Sequence, residues 1–212
     1  KTAANQIFER AMINSGQVCV AIKRVYVPEA IYDDFCVALA ERANQAIVGD
    51  GMDPQSQFGP VQNRQQFERI KALIADSAAS GTILSGGLPA EDAVGFFVRP
   101  TIIGGLSDDA RLVQEEQFGP VLPVLSYADL DDAIARANAT EFGLGASVWT
   151  NDCDRGEEVA ARLLAGTVWI NKHGDLSPLI PFCGSKKSGI GTDFGEDGLR
   201  GYCQSKIVNI GQ

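Results

Sequence analysis

The sequence is poor in several residues that build common kinds of site. It holds a single histidine, His173, in 212 residues. That excludes a His-rich metal centre and makes any Ser-His-Asp or Cys-His arrangement hang on one side chain. Five cysteines stand at 19, 36, 153, 183 and 203. Their number is odd, no two have CxxC spacing, and no zinc pattern can be drawn, so no metal site is expected. A chain with this much apolar material does not need a disulfide framework, so the thiols are read as free, in a reducing, cytoplasmic compartment. No apolar run approaches ~18 residues, so no helix spans a membrane. Basic residues are scarce as well: 18 Lys plus Arg against 27 Asp plus Glu give a net charge of −9. An acidic surface speaks against nucleic acid and anionic membranes as partners, because such binding rests on basic patches. The first residues, KTAANQIFERAMINSG, lack the apolar core and small-residue cleavage site of a signal peptide. They carry no initiating Met and start inside an amphipathic pattern.

Hydrophobic residues at 45% and charged residues at 21% are near globular averages. Residues 3–14 place Ala3, Ile7, Phe8, Ala11 and Met12 at helical spacing, and Ser15-Gly16 breaks the helix. Lys23–Val27 reads as a strand. A helix follows from about 29 to 47, with Ile31, Phe35, Leu39, Ala43 and Ile47 at steps of four. The segment 49–59, dense in Gly, Asp and Pro, is a loop. A helix over about 62–79 carries Phe67, Ile70, Leu73 and Ile74, and strands are expected at 82–85 and 96–103. A turn at Glu115–Pro120 leads into another strand. Asp129 and Asp152 are placed to cap helices over 129–139 and 152–164, with strands at 146–150 and 167–171. A brief helix near 194–201 and a β-type segment at Lys206–Ile210 end the chain. Strands alternating with helices define an α/β fold with a mostly parallel sheet and helices on both faces.

Two features could carry chemistry. Cys19, in Asn14-Ser-Gly-Gln-Val-Cys19, follows a helix and precedes a strand, so its thiol lies among loop N–H groups that favour the reactive anion. On spacing alone, a small packed side chain is the favoured reading of it. Cys36, Cys153 and Cys203 read as packing or incidental residues. The turn Glu115-Glu116-Gln117-Phe118-Gly119-Pro120 pairs a carboxylate, which can accept from a sugar diol, with an aromatic that can meet a flat ring. On spacing alone a solvated turn is the favoured reading. The Gly- and Lys-bearing stretch 181–191 lacks the Walker spacing, and no GxGxxG follows a strand.

Taken in order, Asn14-Ser15-Gly16-Gln17-x-Cys19, Arg24, Glu115-Glu116-x-Phe118-Gly119-Pro120, Gly166-Thr167-Val168-x-Ile170-Asn171 and Pro181-Phe182-x-Gly184-x-Lys186-x-Ser188-Gly189-x-Gly191 closely resemble the aldehyde dehydrogenase superfamily. The resemblance covers nearly the whole chain. It implies NAD(P)-dependent oxidation of a small aldehyde to a carboxylic acid through a thiohemiacetal and thioester on Cys19, with the Cys19 N–H in the oxyanion hole. By the same resemblance Glu116 binds the nicotinamide-side ribose, Phe118 contacts the nicotinamide side, and Gln66 lies near the adenosine-side ribose. Asn171, His173 and Phe182 face the aldehyde. The cofactor is NAD or NADP, with no residue here to choose between them. Residues 1–202 correspond to the family's catalytic domain, and 203–212 to a strand of its oligomerisation arm, which implies a homo-oligomer for the full-length enzyme. The family's general-base Glu and most of its nucleotide-binding fold precede the cysteine by more than eighteen residues, so the isolated chain is expected to be inactive. One departure stands out: Cys183 replaces the first Gly of the family's Pro-Phe-Gly-Gly. Two readings stay beside this one, a Cys19/His173 hydrolase and a non-catalytic α/β interaction domain.

Overall fold

A computed structural model describes residues 2–211. Contacts divide them into two compact units, one ending at Thr140 and the other starting at Glu141. The first opens with α1 (Thr2–Met12), which buries Ala4, Ile7, Phe8, Ala11 and Met12, the stripe its spacing dictates. Strand β1 (Val25–Pro28) and helix α2 (Tyr32–Asn44) follow. Helix α2 stops three residues short of Ile47, which is exposed. Helix α3 (Arg64–Ala78) starts on Asn63, whose side chain accepts from the Gln66 N–H at 2.9 Å. After it come β2 (Thr82–Ser85), β3 (Thr101–Gly104), the short α4 (Arg111–Gln114), β4 (Val121–Tyr127) and α5 (Leu130–Asn138), capped by Asp129.

These strands form one sheet in the order β1-β4-β3-β2. The β1–β4 and β3–β4 pairs are parallel and β2–β3 is antiparallel. Period-two alternation divides β3 and β4 between two faces. Ile103, Val121 and Leu125 pack with Phe67, Ile70, Leu73 and Ile74 of α3. Ile102, Leu122 and Val124 point the other way and are also fully buried. On that side Tyr32 of α2 donates its hydroxyl to the Val124 carbonyl at 3.1 Å. The central strand β4, buried along Val121–Leu125, is therefore covered on both faces, as parallel sheets require. Its C-terminal face is left for the loops that follow β1 and precede α5, while the loop preceding β4 carries Glu115–Pro120.

The second unit pairs β5 (Phe142–Gly143) with β9 (Ser185–Lys186), antiparallel. Strand β6 (Gly145–Val148) runs parallel to β7 (Thr167–Ile170) through helix α6 (Cys153–Ala160), a small βαβ unit capped by Asp152. Strand β8 (Phe182–Cys183) pairs antiparallel with β10 (Thr192–Asp193), ahead of α7 (Gly195–Arg200). Cys183 takes strand conformation and is absent from the positive-φ positions, so a side chain is tolerated where the family has Gly. The expected strand at Lys206–Ile210 does not form: those residues are unpaired and exposed. A strand is stabilised through its ladder, and this segment meets none within its unit. Among the described residues no helix is long and apolar enough to cross a membrane, and no cluster of His, Cys, Asp and Glu could hold a metal.

Candidate active site

The first unit brings the two chemistry-bearing loops together. Between α1 and Cys19 the backbone turns through three consecutive left-handed residues, Asn14 (φ 50°), Ser15 (φ 55°) and Gly16 (φ 71°). For the two non-glycine residues this conformation is costly, by roughly 1–2 kcal/mol each for an ordinary side chain. Hydrogen bonds offset it. The Gln17 N–H and side-chain amide both donate to the Asn14 carbonyl at 3.1 Å. The buried Ser15 hydroxyl donates to the Gly59 carbonyl at 2.8 Å. Gln17 Oε1 accepts from the Gln62 N–H at 2.8 Å, one residue before the cap of α3. The neighbouring Phe58 ring meets Phe8 of α1 edge-on at 5.9 Å.

Gly16 lies flat against the second loop. A Cβ there would stand 2.2 Å from the Gly119 carbonyl oxygen, and a Cβ on Gly119 would stand 2.3 Å from Cδ1 of Ile70 in α3. Gly16 therefore needs hydrogen in place of a side chain, because backbone blocks it and its φ is positive, while a side chain at Gly119 would have to displace the buried Ile70. This stack of Ile70, Gly119 and Gly16 seats the Cys19 loop on the Glu115–Pro120 turn. The turn is fixed from two more directions. Gln66 of α3 donates to the carbonyls of Gln117 at 2.7 Å and Phe118 at 3.0 Å. The buried Gln117 amide donates to the carbonyls of Lys23 at 2.9 Å and Val121 at 2.8 Å, joining the turn to the segment that enters β1 and to the start of β4.

Within this frame the two acids have different surroundings. Glu115 is tied to Arg111 at 2.8 Å and Arg69 at 3.3 Å, and Arg111 is the main reason its carboxyl sits below the usual range. Glu116 is half-buried, and its carboxylate makes no hydrogen bond or ion pair among the described residues. Phe118 takes φ 47° and presents its ring to the Lys23 ammonium, 5.0 Å from the centroid. Cys19 is exposed, and its backbone N–H makes no hydrogen bond among the described residues. The exposed Cys19 thiol, with its unengaged N–H, thus lies on the loop that Gly16 seats against the turn carrying Glu116 and Phe118.

Sequence reasoning passed over two residues that assemble the site, Lys23 and Gln117. Their signal was position: both lie inside motifs already singled out, between Cys19 and Arg24 and between Glu116 and Phe118. The remaining candidates lie in the second unit. Asn171 (φ 56°) has both side-chain atoms engaged with the Thr150 backbone at 2.8 Å, latching the ends of β6 and β7. His173 is 5% exposed, with Nδ1 at 3.1 Å from the Ser147 hydroxyl and its ring 4.9 Å from Trp169. Phe182 is half-buried on β8. Cys36 is a packing residue of α2, 5% exposed, and burial pushes its thiol up.

The fold and the site together define an α/β protein with a loop-borne thiol clamped against an acid-aromatic turn. The chain belongs to the aldehyde dehydrogenase family, which it matches over residues 1–208. Retinal dehydrogenase 2 of Gallus gallus is 40% identical over 208 residues, covering 98% of this chain. The NAD+ complex of an aldehyde dehydrogenase from Bacillus cereus superposes on 94% of the chain with a TM-score of 0.89 at 38% identity. An aldehyde dehydrogenase of Pseudomonas syringae, solved with NAD+ and octanal, covers 95% of the chain at 33% identity, also with a TM-score of 0.89. The chain spans about two fifths of the length of these relatives, from 40% to 42%.

Proposed function

We propose that these residues carry the thiol chemistry of an NAD(P)-dependent aldehyde dehydrogenase, with Cys19 as nucleophile and an aldehyde converted to a carboxylic acid. The observation that carries this reading is the exposed Cys19 thiol, next to its own unengaged N–H, locked by the Gly16–Gly119 contact onto the Glu116–Phe118 turn. As thiolate, Cys19 adds to the aldehyde carbon. A C–S bond forms and the carbonyl electron pair moves to oxygen, where the Cys19 N–H donates to the developing charge. Glu116 and Phe118 would hold the ribose and nicotinamide side of NAD or NADP, which would supply the hydride acceptor for that carbon. Cys19 is left as a thioester, and water releases the acid and restores the thiol.

The turn suits the ribose end of such a cofactor. Glu116 has both carboxylate oxygens available for a diol, whereas Glu115 is held by two arginines. Phe118 offers a ring to the nicotinamide side. Gln66 acts first by fixing the turn, since its amide nitrogen already serves two carbonyls; its Oε1 is what it has for the adenosine-side ribose. Within the second unit, Asn171 latches β6 to β7 and His173 packs beside Trp169, so both shape the chain around β7, and Phe182 is half-buried on β8. The buried His173, paired with Ser147, gives no support to a Cys19/His173 hydrolase.

Competitive labelling tests the reading. Under limiting iodoacetamide, with sites resolved by peptide mapping, Cys19 should react at least several-fold faster than the equally exposed Cys153 and Cys203. Octanal should slow Cys19 alone. Equal rates at all three, or protection by octanal at none, overturn the assignment. Turnover should need more of the enzyme than these 212 residues. Without a positioned base the thioester hydrolyses slowly, by roughly 10²–10⁴-fold, so no sustained rise in NADH absorbance is expected from the chain alone; NADH formation over many turnovers would contradict this.

A further inference from the structure

We infer that Lys23 is a positioning residue of this site, a cationic clasp that fixes the thiol loop on the Phe118 turn and sets a positive charge facing Cys19. The inference rests on the nucleophile reading of Cys19 and adds a proton-dependent control to it. The chain turns back after Cys19, with the Ala21 N–H donating to the Val18 carbonyl at 3.0 Å. The side chain of Lys23 thereby returns to the loop it has just left. Its Nζ donates to the Gly16 carbonyl at 2.9 Å and the Val18 carbonyl at 3.1 Å, on either side of Gln17. The same ammonium stands 5.0 Å from the centroid of the Phe118 ring. One group therefore binds the end of the strained turn, the residue before Cys19 and the aromatic of the opposing turn.

The charged and titratable groups facing Lys23 are Glu116 and Cys19. Arg24, next in sequence, points elsewhere, to the Ala137 carbonyl and the Tyr26 hydroxyl. A neutral side chain could donate to one of the carbonyls. Only a cation attracts both carbonyls, the ring face and a thiolate at once. Burial brings the Lys23 ammonium down to about 8, against the opposing pull of Glu116 and Cys19. The clasp is thus charged at pH 7 and loses its charge shortly above pH 8.

The test is the rate of Cys19 alkylation by iodoacetamide in the whole chain, from pH 6.5 to 9.5, for the wild type, Lys23→Met and Lys23→Arg. Cys153 and Cys203 serve as exposed internal standards, and labelling of buried Cys36 reports unfolding. A cation facing a thiolate stabilises it, and the lower nucleophilicity that accompanies this offsets part of the gain, so a rate change of about threefold is expected. Lys23→Met should slow Cys19 by that factor at pH 7, and the gap should close above pH 9. Lys23→Arg, whose charge persists, should keep most of the rate and hold its advantage to higher pH. If Lys23→Met unfolds, the wild type and Lys23→Arg decide: the wild-type ratio of Cys19 to Cys153 rates should fall between pH 7 and 9 sooner than the Arg variant's. Matching Cys19 rates or matching pH profiles, with Cys19 still faster than the standards, overturn the role of Lys23 and leave the nucleophile standing. A wild-type Cys19 no faster than the standards overturns the nucleophile reading itself.

Discussion

Replacing Gly16 by alanine puts the largest strain on the contact that assembles the site. The new Cβ would lie 2.2 Å from the Gly119 carbonyl oxygen and 2.5 Å from its carbon. Both are backbone atoms, so no side chain can swing aside. Gly119 itself packs against the buried Ile70 of α3, so its displacement disturbs that contact. Alanine would also have to hold φ at 71°, which costs about 1–2 kcal/mol. Relief of the clash by separating the loops adds about 1–3 kcal/mol, the usual range for forcing atoms into a packed region. The expected destabilisation is therefore about 2–5 kcal/mol, read from the urea midpoint at unchanged slope. Gly51→Ala is the control: nothing lies within 4 Å of its Cβ, and the change should stay within about 0.5 kcal/mol. If Gly16→Ala loses less than about 1 kcal/mol and labels at Cys19 like the wild type, the two loops are not locked together in this way.

Two further perturbations follow from the same structure. Asp129→Ala and Asp152→Ala each remove a carboxylate that accepts an N–H in the first turn of α5 or α6, at 2.9 and 3.0 Å. Each should lower stability by about 0.5–2 kcal/mol, and Asn at either position should recover most of it in the same urea assay. The buried Lys23 makes stability pH-dependent. Its ammonium releases its proton near 8 in the folded chain and at the ordinary 10.5 in the unfolded one. Between those values the unfolded chain binds more protons, so stability rises with pH across that window. Relative to Lys23→Met, the wild type should gain up to about 3 kcal/mol between pH 7 and pH 10.5; a difference that is flat or falling over that range would contradict the burial of a charged Lys23.

Much of this architecture is legible in residue spacing, and the exceptions have physical causes. The stripe Phe67, Ile70, Leu73 and Ile74 announces α3 because a helix must bury one face, and Asp129 and Asp152 announce their helices because a first turn needs acceptors. Strand β2 lies where Thr82–Ser85 is apolar and bounded by breakers. The short pairs β5–β9 and β8–β10 were not legible: two-residue ladders carry no periodicity, and partners up to 44 residues apart meet only through tertiary packing. Lys206–Ile210 reads as a strand because β-branched residues favour an extended chain, but extension without a partner is not a strand. The loops that carry Cys19, Glu116 and Phe118 were legible through their ordered motifs. That Gly16 touches Gly119, that Glu115 rather than Glu116 is bound by arginines, and that Asn171 is spent on Thr150 depend on non-local contacts that no single stretch encodes.

The most direct test of Cys19 as the carbon-binding nucleophile is to observe the adduct. Octanal labelled with carbon-13 at its aldehyde carbon, mixed with the whole chain at neutral pH, should give the resonance of a hemithioacetal carbon in stoichiometric amount. That resonance should vanish in Cys19→Ser and persist in Cys153→Ser and Cys203→Ser. Its persistence in Cys19→Ser, or its loss in either of the other two with Cys19 intact, would contradict the account.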